Sequence, residues 1–98
     1  MKYEVKKPIH LIVEVDENEI VISRRRALDE EEFEPTKINM EKVESVTFEQ
    51  AGPLAHGYMK FEYAKLTPLT NKFNFSMEDN QEMFELKEKV EEIIEKRN

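Results

Sequence analysis

Residues 9–26 decide the fold and read IHLIVEVDENEIVISRRR. Apolar residues alternate with mostly polar ones in the first half of this segment: Ile9, Leu11, Val13 and Val15. A period of two indicates a β-strand with one buried face, because successive side chains of a strand point to opposite faces. Residues 16–19, DENE, are turn-forming types, and the alternation resumes at Ile20 and Ile22. The segment therefore predicts a β-hairpin.

Four further segments continue the β pattern, at about residues 32–38, 43–48, 58–63 and 73–75. Pro35 indicates that the first of these lies at a sheet edge or carries a bulge, since proline donates no backbone hydrogen bond. The connections are too short for crossover helices, so the sheet is expected to be antiparallel. Six strands are visible in this pattern, and residues 3–6 are a candidate for a seventh.

The hydrophobic period changes to that of a helix after Ser76. The apolar positions of this stripe are Met83, Leu86, Val90 and Ile93, with Phe84 and Ile94 widening it. Ser76 is predicted to cap the first turn, where Glu78 and Asp79 complement the positive end of the helix dipole. The sequence predicts a helix over about residues 77–96 whose apolar stripe is buried on the sheet or on another subunit.

The composition favours one small acidic domain over residues 1–98. The chain has 15 Lys and Arg against 22 Asp and Glu, for a net charge of -7, which repels nucleic acids at long range. We therefore expect no nucleic-acid partner. With no cysteine there is no disulfide and no thiolate metal site, and no segment approaches the roughly 20 apolar residues of a membrane span. A cytoplasmic location is expected.

The order of these patterns resembles the small bacterial pleckstrin-homology-like (PH-like) domains. The segments that carry the resemblance are IHLIVEVDENEIVISRR, TKINMEKVESVTFEQ, GYMKFEY and FNFSMEDNQEMFELKEKVEEII, and together they span roughly residues 9–95. The resemblance implies a mainly β (α+β) fold, a barrel of six to seven antiparallel strands capped by one C-terminal helix. It also implies a non-enzymatic binding or assembly module. Homo-oligomers would form through strand edges, whose unpaired backbone groups a neighbouring copy can satisfy.

The arginine run after the hairpin allows two interpretations. Acidic residues 29–32 would neutralise the arginines in an ionic hairpin if the flanking strands pair. Alternatively Arg24, Arg26 and Lys37 bind an anionic headgroup, a phosphorylated ligand or an acidic partner. By the resemblance, residues 16–19 correspond to the loop with which eukaryotic relatives bind phosphoinositides. Their three carboxylates predict that this headgroup site is absent, so membrane contact is not expected unless the alternative arginine surface provides it.

The loop AGPLAHG, residues 51–57, contains Leu54 without an obvious core partner. One interpretation is that this loop covers the mouth of the barrel. In the other, Leu54 joins Leu66 and Leu69 in an exposed apolar rim that contacts a protein partner.

No motif for phosphate binding, nucleophilic catalysis or zinc binding occurs in the sequence. His10 and His56 are isolated, so no metal site or cofactor is expected. The acids of the helix are expected to form a solvated face with Lys87 and Lys89: Glu78, Asp79, Glu82, Glu85, Glu88, Glu91, Glu92 and Glu95. The hypothesis is a non-enzymatic interaction and homo-oligomerisation module, and the alternative is a peripheral adaptor for an anionic ligand.

Overall fold

The structure, a computed structural model, describes residues 1–25, 35–63 and 72–97. Within these residues the chain forms seven β-strands, two short 3-10 turns and one long helix. In chain order they are β1 (Lys2–Val5), β2 (His10–Val15), β3 (Glu19–Arg25), β4 (Thr36–Asn39), the turn Met40–Lys42, β5 (Val43–Glu49), β6 (Gly57–Tyr63), β7 (Lys72–Phe75), the turn Met77–Asp79 and α1 (Asn80–Arg97).

The strands form two antiparallel sheets. The first has the order β1-β2-β3-β4 and the second the order β5-β6-β7. The mainly β fold, the antiparallel pairing, the seventh strand and the C-terminal helix are confirmed. The closed barrel is wrong, because no described backbone ladder joins one sheet to the other. Closure requires every edge strand to pair with another strand, whereas the outward amide of Glu4 in β1 is bound by the carboxylate of Glu82.

The predicted hairpin is formed by β2 and β3. Val15 lies opposite Ile20 and Val13 opposite Ile22, so their apolar side chains share one buried face. The turn is closed by Asp16, whose Oδ1 accepts hydrogen bonds from the backbone N of Asn18 at 2.7 Å and of Glu19 at 2.8 Å. Ile9 precedes β2 and is 55% exposed, so it does not belong to the buried face that the alternation predicted.

One core lies between the two sheets and α1. The helix packs against β1 of the first sheet and against β5 and β6 of the second. Its predicted stripe is buried as expected: Met83, Leu86, Val90 and Ile93. Phe84 differs, because it lies at the margin of the stripe, 42% exposed, with its ring edge-on to Phe48 at 6.1 Å.

The first turn of the helical segment is capped differently from the prediction. Ser76 occupies the position before Met77–Asp79, but its side chain makes no capping hydrogen bond. Its Oγ is buried without a hydrogen-bond partner among the described residues. The Ser76 carbonyl accepts from Asp79 N at 3.0 Å instead, and the Asp79 side chain binds backbone outside the helix. The backbone of Ser76, not its hydroxyl, therefore starts the turn.

Gly57 allows the close approach of β6 to the end of β5. A β-carbon at this position would lie within 3.0 Å of the Glu49 carbonyl oxygen, Ala51 N and Phe75 Cε2. Two of these are backbone atoms, which cannot rotate away as a side chain can. Gly52, five residues earlier in the same loop, has no atom within 4 Å of such a β-carbon.

We expect Gly57→Ala to destabilise the fold by roughly 1–3 kcal/mol or more, because overpacking would push apart β5, the loop and β7. Urea denaturation followed by circular dichroism measures the change. The matched variant is Gly52→Ala, for which we expect a change within about 0.5 kcal/mol. Equal losses for the two variants would contradict this explanation.

The acid dependence of the β2–β3 turn provides a second prediction. Hydrogen bonds from the amides of Glu19 and Asn18 hold the pKa of the Asp16 carboxyl below its usual range. The ionised carboxylate therefore contributes stability above the pKa of an unfolded aspartate, and the contribution is lost as pH falls through the lower folded pKa. Asp16→Asn should be less stable than the unchanged chain near neutral pH, and this difference should shrink in acid. Denaturation of the two chains near neutral pH and in acid tests this expectation, with Glu17→Gln as the control. A stability difference that does not depend on pH would refute it.

Candidate functional site

The two sheets are separated by a cleft on the side where β7 approaches the start of β2. This seam cleft has a volume of about 360 Å³. The described residues that line it are apolar Pro8, Ile9, Leu11 and Phe73 and polar Arg24, Lys72 and Asn74. The cleft thus combines an apolar floor with two cationic side chains.

Arg24 reaches the seam cleft because of its register in β3. It lies opposite Leu11, on the same face as Ile20 and Ile22, and is half-buried at the end of the strand farthest from the DENE turn. Lys72 begins β7, and its Nζ lies 4.4 Å from the centre of the Tyr58 ring. Sequence reasoning missed Lys72, since only the arrangement of the two sheets brings it to the same cleft as Arg24.

Lys37 is not brought to the seam cleft. It lies opposite Val21 in the β3–β4 ladder, on the face away from the core, whereas Arg24 is on the core side. Its neighbours in a shallow depression of about 400 Å³ are Asn18, Glu19, Asn39 and Glu41. Arg24 and Lys37 therefore do not converge on one ligand. Arg26 and acidic residues 29–32 lie outside the described residues.

Leu54 is 99% exposed at the tip of the loop between β5 and β6. The loop is nevertheless held in place, because Asn80 Oδ1 accepts from Ala51 N at 2.8 Å and Asn80 Nδ2 donates to Ala51 O at 2.9 Å. Gly52 N also donates to Ala55 O at 2.9 Å. The Leu54 side chain covers nothing, in contrast to the interpretation of the loop as a lid. Leu66 and Leu69, its predicted companions in an apolar rim, lie outside the described residues.

The first hairpin of the molecule differs from the one that the sequence indicated. Since Lys2–Val5 forms β1, the first connection is residues 6–9, KKPI, and the DENE turn is the second. The acidic turn is therefore not the first connection between strands. The alternation of Tyr3 and Val5, both buried, was the signal for β1, although four residues are a weak one.

Carboxylates of the helical segment bind the free edge of β1. Glu82 Oε2 accepts a hydrogen bond from Glu4 N. Asp79 Oδ2 accepts from Lys6 N at 3.0 Å and from Lys7 N at 3.4 Å. Edge strands present rows of unpaired amides to neighbouring chains, and here the Glu4 amide of β1 and the two amides just beyond the strand are already bound. These two acids are exceptions to the solvated face predicted for the helix.

The other described helix acids include several that form the predicted ion pairs. Lys87 Nζ lies 2.9 Å from Glu91 and Lys96 Nζ lies 2.8 Å from Glu92, each one helical turn away.

A groove beside these ion pairs is lined by Tyr3 and Phe84 as well as by glutamates. Burial raises the pKa of the Tyr3 phenol, and the negative charges of Glu85, Glu82 and Glu92 raise it further. A raised pKa makes the phenol less able to give up its proton, as a catalytic acid or base must.

The histidines form no cluster with acids that could hold a metal. His10 Nε2 lies 3.1 Å from Glu4 Oε2, and His56 is exposed. No group of three or more His, Asp or Glu side chains suited to a metal ion occurs in the part of the chain that the structure describes. None of the helices in that part is long and apolar enough to cross a membrane.

Comparison with protein-family models, with curated proteins and with solved structures found no match for this chain. Its candidate sites therefore depend on the geometry of its own residues: the seam cleft, the strand edges and Leu54.

We expect Asp79→Ala to destabilise the fold by about 1–3 kcal/mol, since it leaves the partly buried amides of Lys6 and Lys7 without their acceptor. Asp79 is only 3% exposed, so water does not readily replace the lost oxygen. Hydrogen exchange should accelerate at Lys6 and Lys7 more than in β2. The matched control is Glu78→Ala, an exposed acid next to Asp79. Unchanged exchange at Lys6 in Asp79→Ala would refute the assigned role.

Proposed function

We propose that this chain is a non-enzymatic, PH-like interaction module that acts in the cytoplasm and assembles with copies of itself through strand edges. The order of elements supports the PH-like assignment. A four-stranded antiparallel meander is followed by a three-stranded one and then by a helix that packs on both. This is the order that the sequence resemblance implies, here with two open sheets.

The observation that carries the assembly proposal is the difference between the sheet edges. In β1 the outward amide of Glu4 is bound by Glu82, and Asp79 binds the amide of Lys6 just beyond the strand. The β4 edge has no described strand beside it. Met40 N donates to Asn18 O at 2.9 Å, so even-numbered residues of this segment point their amides toward β3. Since these directions alternate along an antiparallel strand, Lys37 and Asn39 direct theirs outward, available to the β4 strand of another copy.

A second candidate function is the binding of an anionic headgroup or phosphorylated ligand. The specific observation in its favour is that Arg24 and Lys72 line the same cleft. Two cations on a partly apolar floor can hold a phosphate oxygen and exclude part of its water. This site contains Lys72 and not Lys37, which the sequence had grouped with Arg24, because Lys37 lies on the other face of its sheet.

Light scattering should find the chain larger than a monomer at high protein concentration, and Lys37→Pro should reduce its mass toward that of the monomer. Proline removes the outward N–H of β4 without removing a bond to β3. The matched variant is Asn74→Pro at the β7 edge, which should leave the mass unchanged. A chain that stays monomeric at every concentration would overturn the assembly proposal.

Sedimentation of the same protein samples with anionic phospholipid vesicles tests the second candidate function. Binding that is lost at high salt, and that is weakened by Arg24→Ala with Lys72→Ala but not by Lys37→Ala, would favour the anionic-ligand function. No sedimentation at low salt would count against it.

A further inference from the structure

The outer edge of β7 borders the seam cleft from Lys72 to Asn74, while its Ser76 end is already bonded to the first connection. Ser76 N donates to Lys7 O at 3.1 Å, so at the end of β7 the even-numbered residues point their amides away from β6. Because the direction alternates along an antiparallel strand, Asn74 and Lys72 point theirs the same way. Among the described strands, β6 is the only one that pairs with β7. The edge is therefore open to an added strand next to the cleft.

Side chains of β7 differ between its two faces. Phe73 and Phe75 are buried toward the core, while Lys72 and Asn74 are exposed on the opposite face. The side chains of an added antiparallel strand would alternate in the same way. Those on one face would lie next to Phe73 and Phe75, and those on the other face next to Lys72 and Asn74. Apolar residues would contact Phe73, Leu11 and the exposed Ile9 in the cleft, and acidic residues would approach Lys72.

The local charge favours an acidic occupant, although the whole chain carries a net charge of -7. Arg24 and Lys72 are the charged side chains in the described lining of the seam cleft. Neither forms an ion pair with a carboxylate of the described residues, and Lys72 instead lies over the Tyr58 ring. A basic segment would be repelled here, and a wholly apolar one would leave both cations partly desolvated without a partner.

We propose that an extended segment of a partner protein, in which acidic and apolar side chains alternate, adds to β7 as a further strand of the second sheet and fills the seam cleft. The inference rests on the proposed function as an interaction module. It assigns partner binding to β7, whereas self-assembly uses the β4 edge. Backbone hydrogen bonds to Asn74 and Lys72 would provide affinity, and the two cations with the apolar floor would provide selectivity.

Fluorescence anisotropy with labelled synthetic peptides of about eight residues tests the proposal. The probe alternates glutamate with valine. One control peptide has lysine in place of glutamate, and another has the same composition with its glutamates grouped together. We expect the alternating acidic peptide to bind at least about tenfold more tightly than either control.

Protein variants locate the binding site. Arg24→Glu combined with Lys72→Glu should weaken peptide binding by about tenfold, through reversal of the two charges that line the cleft. Asn74→Pro should weaken it to a similar extent by removing one outward N–H. The matched controls on the first sheet, Lys37→Glu and Lys37→Pro, should bind the peptide as the unchanged chain does. Circular dichroism establishes that each variant is folded, and the charge variants test the site even if the proline variant unfolds.

The proposal is overturned if the three peptides bind equally, if none binds, or if the Lys37 variants weaken binding as much as the β7 variants. Binding of anionic vesicles by a chain that binds none of the peptides would also overturn the proposal and would assign the cleft to lipid. Peptide binding by a chain that light scattering finds monomeric would refute self-assembly alone. An oligomer that binds no peptide would refute the β7 proposal alone.

Discussion

The structure depends on one set of contacts, in which a single apolar stripe of α1 is shared by two small sheets. Met83, Leu86 and Val90 are fully buried where the helix packs against β1, β5 and β6. A sheet of three or four short strands buries too little apolar surface to be stable with one face open to water. The helix removes both inner faces from water together, so neither sheet has to close into a barrel.

Polar contacts at the start of the helical segment determine how the first sheet sits on that stripe. Asp79 and Glu82 bind backbone amides of β1 and of the connection after it. Asn80 holds the loop before β6 through both polar atoms of its side-chain amide. Adjacent residues at one end of the helix thus contact both sheets. A buried amide without an acceptor is costly, which gives these side chains a larger effect on stability than their surface neighbours.

The same contacts leave the molecule with unequal edges, and the proposed functions follow from this inequality. In β1 the outward amide of Glu4 is bound from within the chain, while β4, β5 and β7 have no described strand beside their outer sides. The β4 and β7 edges differ in surroundings, because Lys37 on β4 lies near Glu19 and Glu41, whereas β7 borders an apolar cleft with Arg24 and Lys72. We therefore assign self-association to the first and an acidic extended partner to the second.

Much of the fold was predictable from the sequence by itself. The alternation of residues 9–22 predicted the hairpin, and the helical spacing from Met83 to Ile93 predicted the buried stripe, because both periods are properties of consecutive residues. The position of Pro35 predicted an edge strand, and β4 is one. The seventh strand, expected at residues 3–6 and found at residues 2–5, was only a candidate, since four residues hold just two cycles of alternation.

Other features were decided only by the tertiary structure. Examples are the division into two open sheets, the roles of Asp79 and Glu82, and the placement of Lys72 and Arg24 in the lining of one cleft. Lys6 and Asp79 are 73 residues apart in the chain, and no local pattern distinguishes an acid that binds a distant amide from one that faces water. The sequence by itself determined which side of each element is apolar. Only packing determined which edges and charges meet. Those contacts join residues that are far apart in the chain, and no short-period pattern in the sequence reveals them.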